Sequence, residues 1–120
     1  MRRKPGALVP LEIAICRAAL ILRRRDEEFH GYEMARALGA EADARLLTAY
    51  GTLYRALGRL EKMGLLKSRW EDPRIPARES RPSRRLYSLT ALGAEAVATA
   101  RRAADSRARA RKRLRRLVPA

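Results

Sequence analysis

The sequence predicts a mainly α chain with one small β-hairpin. Three observations carry that expectation. Apolar positions recur at helical spacing in three successive segments before Gly64. Two short alternating runs, residues 65–72 and 84–89, then flank a stretch rich in proline and arginine. An alanine- and arginine-rich segment of helical character closes the chain. The order helix, helix, helix, strand, basic loop, strand, helix is that of a winged helix-turn-helix followed by a C-terminal helix.

Each element has a local reason. Residues 1–9 read as a short basic arm, and Pro10 suits the first turn of a helix, where its missing N–H costs nothing. Residues 11–22 are apolar almost all round, interrupted by Glu12 and Arg17. Such a helix is buried on more than one side, which in a short chain points to cover from a second subunit. Arg23, Arg24 and Arg25 sit favourably against its C-terminal dipole. Residues 26–30 read as a connector. Residues 32–38 form a short helix with Tyr32, Met34, Ala35 and Leu38 inward and Gly39 as its cap. Residues 40–47 fit either a loop or one helical turn.

Thr48 is the expected N-cap of the third helix, with Leu53, Leu57 and Leu60 inward and Gly64 at its end. In the first strand Leu66, Ser68 and Trp70 share a face, and Trp70 is expected to pack at the base of the hairpin. Residues 73–83 hold three prolines without apolar periodicity and read as a loop. Thr90 caps the last helix. There Ala96, Ala100, Ala103, Arg107, Ala110, Leu114 and Leu117 advance in alternating steps of four and three, the spacing of a coiled-coil seam. An alanine-rich helix can also produce that match by accident.

Charge narrows the partners. The 120 residues carry 28 Lys and Arg against 13 Asp and Glu, a formal net charge of +15. That excess concentrates polyanions at the surface, with nucleic acid first among them, then acidic membrane or an acidic protein. The single cysteine, Cys16, excludes an intrachain disulfide and a cysteine-rich zinc site. No leader pattern and no uncharged apolar run of about 18 residues is present, so a cytoplasmic protein outside the membrane is expected. No Ser-His-Asp set or phosphate-cradling glycine loop can be assembled, so neither enzyme chemistry nor a cofactor or metal is expected.

The third helix and the hairpin carry the chemistry. Gly51, Arg55, Arg59 and Lys62 are expected along its outer stripe. Arg55 and Arg59 can each make a bidentate contact to guanine or phosphate, and Gly51 lets backbone amides approach a phosphate. Thr48, Tyr50 and Tyr54 are candidates for positioning, with one tyrosine on phosphate and the other against the core. Arg74, Arg78, Arg81, Arg84 and Arg85 can lay charge along a DNA backbone or into a minor groove. His30 and Tyr32, at the start of the second helix, complete the candidate contacts; a lone histidine there is more often a cap or phosphate contact than a metal ligand. A solvated helix face and a charged loop are the bland alternatives for the same residues.

Two stretches, Gly51-Thr-Leu-Tyr-Arg-Ala-Leu-x-Arg-Leu-Glu-x-x-Gly-Leu-Leu66 and Arg81-Pro-Ser-Arg-Arg-Leu-Tyr-Ser-Leu-Thr-Ala-Leu-Gly93, resemble the PadR family of bacterial transcriptional regulators. His30-Gly-Tyr-Glu-Met-Ala35 resembles that family's second helix, and the likeness spans about residues 8–100. It implies a homodimeric winged-helix repressor of a pseudo-palindromic double-stranded operator, in the family's compact branch, with the C-terminal helix packed on the partner subunit. Residues 8–89 are then the DNA-binding domain and residues 90–120 a dimerisation helix with a basic tail. The resemblance also implies a small-molecule effector, with Trp70 as a stacking candidate. Two departures stand out. Arg55 stands where the family usually has proline, and the tail beyond Arg101 is more basic than a dimerisation helix requires. A sequence-indifferent nucleic-acid binder and a module gripping an acidic protein are the rival readings.

Overall fold

A computed structural model describes residues 8–41 and 50–118. Five helices and two strands follow in the order α1 (Pro10–Arg24), α2 (Gly31–Glu41), α3 (Tyr50–Lys62), β1 (Leu66–Trp70), α4 (Arg74–Arg78), β2 (Arg85–Leu89) and α5 (Ala91–Leu117). The strands pair antiparallel, from Leu66 opposite Leu89 to Trp70 opposite Arg85. The fold is the winged helix-turn-helix with a long C-terminal helix that the sequence predicts.

The core gathers one apolar face from each helix and strand except α4. Ile15, Cys16 and Ala19 of α1 meet Met34 and Leu38 of α2, Leu53, Leu57 and Leu60 of α3, Leu66, Tyr87 and Leu89 of the hairpin, and Val97 of α5. Burial pushes the Cys16 thiol up to about 11, with Glu12 adding to the rise, so it stays protonated at neutral pH. No buried side-chain nitrogen or oxygen among the described residues lacks a hydrogen-bond partner. Among them, too, no helix is long and apolar enough to cross a membrane.

Four expectations are corrected. First, α2 runs through Gly39 to Glu41, so that glycine is not its cap. Second, the connector before α2 also makes an isolated β-bridge to β2. Phe29 exchanges backbone hydrogen bonds with Tyr87, at 3.0 and 2.7 Å, and stacks its buried ring on Tyr87 at 5.7 Å. Third, residues 73–83 are not all loop, since α4 forms one turn there with Pro76 buried. Its prolines sit at the N-cap and third helical positions, whose N–H groups would have no intrahelical acceptor. Fourth, Trp70 does not pack at the base of the wing but is 60% exposed at the far end of β1. Its strand pairs on one edge alone, and the buried face ends at Leu66. Gly64, at φ 78°, ends the turn after α3, and Thr90 caps α5 by accepting from the Gly93 N–H at 3.0 Å. Thr48 and residues 42–47 lie outside the described residues.

Candidate nucleic-acid interface

Helix α3 holds its inward leucines fully buried and turns Tyr54, Arg55 and Lys62 to solvent, with Gly51 exposed at its first turn. Arg55 donates to the Thr52 hydroxyl at 3.3 Å and is otherwise displayed on the exposed face. The side chain of Tyr50 lies outside the described residues.

Arg59 corrects the expected stripe. Its Nη1 donates to both carboxylate oxygens of Glu12, each at 2.5 Å, and Glu12 is 2% exposed. Glu12 also accepts the Val9 N–H at 2.9 Å, closing the first turn of α1. The physical reason is helical phase. Each step of four residues overshoots a turn by about 40°, so two steps from Gly51 carry Arg59 about 80° round, onto α1. Arg59 is thus a structural partner of a buried acid.

The wing is built around another acid, Glu71. Arg81 donates to it through Nη1 at 2.6 Å and Nη2 at 3.1 Å, and the Arg84 N–H donates to it at 2.8 Å. Arg81 also pairs with Glu79 at 2.5 Å and keeps 17% of its side chain exposed. It therefore ties the wing together, in place of the outward role expected of it. Arg74 is held by Asp72 in the same way, at 2.6 Å. Arg78, Arg84 and Arg85 remain exposed. The Arg81 hydrogen bond, aided by the Arg84 N–H, holds the Glu71 carboxyl below the usual carboxylate range. A carboxylate depressed in the folded state contributes fully above its unfolded value, and its contribution is lost as pH falls through the folded one. Amide protection in residues 79–85, taken relative to the intrinsic exchange rate at each pH, should accordingly fall in acid, below the ordinary glutamate range. Glu71→Gln should reproduce that loosening at neutral pH and leave exchange in α3 unchanged. Equal exchange in the variant and the parent protein at neutral pH would remove Glu71 from this role. Sequence reasoning missed Glu71. The available signal was strand register: with Trp70 opposite Arg85, Glu71 falls opposite Arg84.

His30 is the N-cap of α2. Its Nδ1 accepts the Glu33 N–H at 3.4 Å while its own N–H donates to the Glu33 carboxylate at 3.2 Å. No group of three His, Cys, Asp or Glu among the described residues could hold a metal.

Five of the expected residues meet in one place. His30, Tyr32, Tyr54, Arg84 and Arg85 line a cleft of about 350 Å³ between the start of α2, the outer face of α3 and the wing, with Trp70 beside them. None of the lining residues is acidic. Tyr32 and Tyr54 are 52% and 50% exposed, so Tyr32 does not pack inward with Met34 and Leu38 as expected, and Arg85 lies over the Trp70 ring at 5.5 Å. The Tyr54 ring is seated on Gly31, where a Cβ would stand 2.8 Å from its hydroxyl. Arg85 also donates to Ser68 Oγ at 2.8 Å and to the Glu61 carboxylate, outside the lining, at 3.4 Å, which fixes its direction. A concave surface of aromatic rings and arginines without a carboxylate suits a sugar-phosphate strand. Arg55, Lys62 and Arg78 lie outside this cleft.

Residues 20–99 match the transcriptional regulator PadR-like family. Solved structures with the same fold include a PadR family regulator from Clostridium difficile R20291, at 22% identity and TM-score 0.64, covering 85% of this chain and 96% of that one. A PadR-like transcription factor from Bacteroides fragilis aligns at 24% identity and TM-score 0.64, over 85% of this chain and 88% of that one. Bacillus subtilis PadR, solved with operator DNA, aligns at 17% identity and TM-score 0.58 over 78% of this chain and 47% of its own. No curated protein matches the chain.

Proposed function

The chain belongs to the PadR-like family of transcriptional regulators, and from that premise we propose that it is a homodimeric repressor that selects a pseudo-palindromic site in double-stranded DNA. The members of this family are regulators of transcription, not enzymes. The observation that carries the reading is the acid-free cleft joining α3 to the wing. A helix displaying Arg55 and Lys62 beside such a cleft fits a major groove with its flanking backbone. The family likeness to a regulator solved on operator DNA supports the same reading.

In the proposed mechanism, α3 of each subunit enters one of two successive major grooves, with half-sites about 34 Å apart. Arg55 reads or clamps. Gly51 lets the start of the helix approach a phosphate, and Tyr32, Tyr54, Lys62, Arg78, Arg84 and Arg85 grip the strand. Residues 8–89 form the DNA-binding unit, and residues 90–120, which include α5, join the subunits. Exposed Leu92, Leu114 and Leu117, at 53%, 62% and 79%, together with Ile21 at 52%, supply apolar surface for that contact. Repression in the cytoplasm follows from occupying a promoter. Release follows from a small molecule that prefers the arrangement unable to bind DNA.

Selection of bound fragments from genomic DNA tests this, with a two-fold-related motif as the expected result. Enrichment without any motif would instead establish the sequence-indifferent reading, which the basic α5 favours. On the selected site, Arg55→Ala should weaken binding by about 1–3 kcal/mol if the guanidinium reads a base. Affinity measurements on selected and scrambled duplexes check it. An unchanged ratio between the two would assign Arg55 to phosphate alone.

A further inference from the structure

The outer part of α5, residues 101–117, has two unlike sides. Ala103, Ala110, Leu114 and Leu117 follow one another in steps of seven, four and three along one side. Arg101, Arg109, Lys112, Arg115 and Arg116 fall on the opposite side by the 3.6-residue period, and Arg102 and Arg113 flank it. The segment holds nine basic residues, with Asp105 as its only acid. Among the described residues, none of those nine lies within ion-pair distance of a carboxylate. Arg107 and Arg111, Arg109 and Arg113, Arg111 and Arg115, and Lys112 and Arg116 are like charges one turn apart, which destabilise a helix standing alone.

We propose that this basic side is a second binding surface for the phosphate backbone of duplex DNA, separate from the face formed by α3 and the wing. A polyanion removes the repulsion between successive turns, and the ions it releases drive the association. The apolar side, interrupted by Arg107, stays available to a partner subunit, because the other cations lie outside it. The segment is about 25 Å long, the length of about seven base pairs along one strand. A membrane surface fits less well, since residues 101–117 contain no Trp or Phe and half of the apolar side is alanine. The duplex has two sources: the flank of the operator on which α3 sits, or a second DNA segment. The inference rests on the proposed DNA-binding function for its first source alone.

The test uses the full chain carrying Arg109→Gln, Lys112→Gln and Arg116→Gln together. A control carries Arg17→Gln, Arg24→Gln and Arg25→Gln, exposed positions on and just after α1. Far-UV circular dichroism confirms that both are folded. Affinity for a long duplex containing the selected site is measured against salt, and capture of a second labelled duplex is measured on beads bearing the first. If the flank is the source, the α5 variant loses about two to three units of the slope of log affinity against log salt, about 0.9 for each lost contact. If a second duplex is the source, bead capture falls at least tenfold. In both cases preference for the selected site over scrambled DNA stays within twofold. Unchanged slope and unchanged capture overturn the proposal, as does an equal loss in the control. If the parent protein shows no site preference yet captures a second duplex through these residues, the α5 surface stands and the operator reading fails.

Discussion

Arg59→Met is expected to destabilise the fold by about 3 kcal/mol, the lower end for breaking a buried ion pair by removing one partner. The lower end applies because 32% of the Arg59 side chain is exposed, which leaves Glu12 a route to water. Glu12 itself is 2% exposed and has both carboxylate oxygens on the Arg59 guanidinium at 2.5 Å. Thermal unfolding should show a fall of roughly 9–15 °C, interpolating between small and medium domains. Glu12→Gln added to Arg59→Met should recover most of that loss, since a neutral amide is far easier to bury than a carboxylate that has lost its Arg59 partner and can still accept the Val9 N–H. A double-mutant cycle measures the recovery. An unchanged melting temperature with weakened site preference would return Arg59 to the DNA face.

The same residue shows how far the sequence could be read. Leucines at positions 53, 57 and 60 define the inner face of α3 without ambiguity, because apolar burial is strongly periodic. The outer face is harder. Arginine serves equally as a groove contact, a solvated charge or the partner of a buried acid. A stripe drawn in steps of four drifts around the helix far enough to take in a residue from its flank. The missing information was in another element: a lone acid on the buried face of the first helix requires a cation, and Glu12 could have been matched to one.

The wing repeats the lesson. Its arginines are conspicuous as a group, yet the group divides by partner. Arg81 and Arg74 are held by Glu71 and Asp72, whereas Arg84 and Arg85 reach the cleft, Arg85 while keeping a longer pairing of 3.4 Å with Glu61. Strand register decides this, and register depends on pairing across the hairpin. Phe29 was hidden for a similar reason, because a single residue bridging a distant strand leaves no local period. The cleft itself joins His30, Tyr54 and Arg84 from three elements, so its members were visible one by one and its shape was not.

Gly93→Ala is the second substitution with a large expected effect, and its sign runs against helix propensity. Alanine is favoured over glycine in a helix interior by about 1 kcal/mol. At Gly93, however, a Cβ would collide with the Leu65 carbonyl oxygen and stand 2.5 Å from Leu89 Cδ1. The carbonyl has no freedom to turn away, because it accepts the Thr90 N–H at 3.0 Å and the Thr90 hydroxyl at 3.1 Å. Relief requires lifting the first turn of α5 from the end of the hairpin, which also strains the cap that Thr90 makes to Gly93. Forcing a methyl group into packed surroundings costs about 1–3 kcal/mol and more against backbone, so the net loss should be about 2 kcal/mol. Gly58→Ala supplies the opposite sign in the same chain. It lies within α3, and a Cβ there meets nothing within 4 Å, so a gain of about 0.5–1 kcal/mol is expected. Denaturant melts of the two variants beside the parent protein should therefore move in opposite directions. If Gly93→Ala were stabilised like Gly58→Ala, α5 would have to leave the hairpin differently, and the seating of the long helix on the winged domain would need to be redrawn.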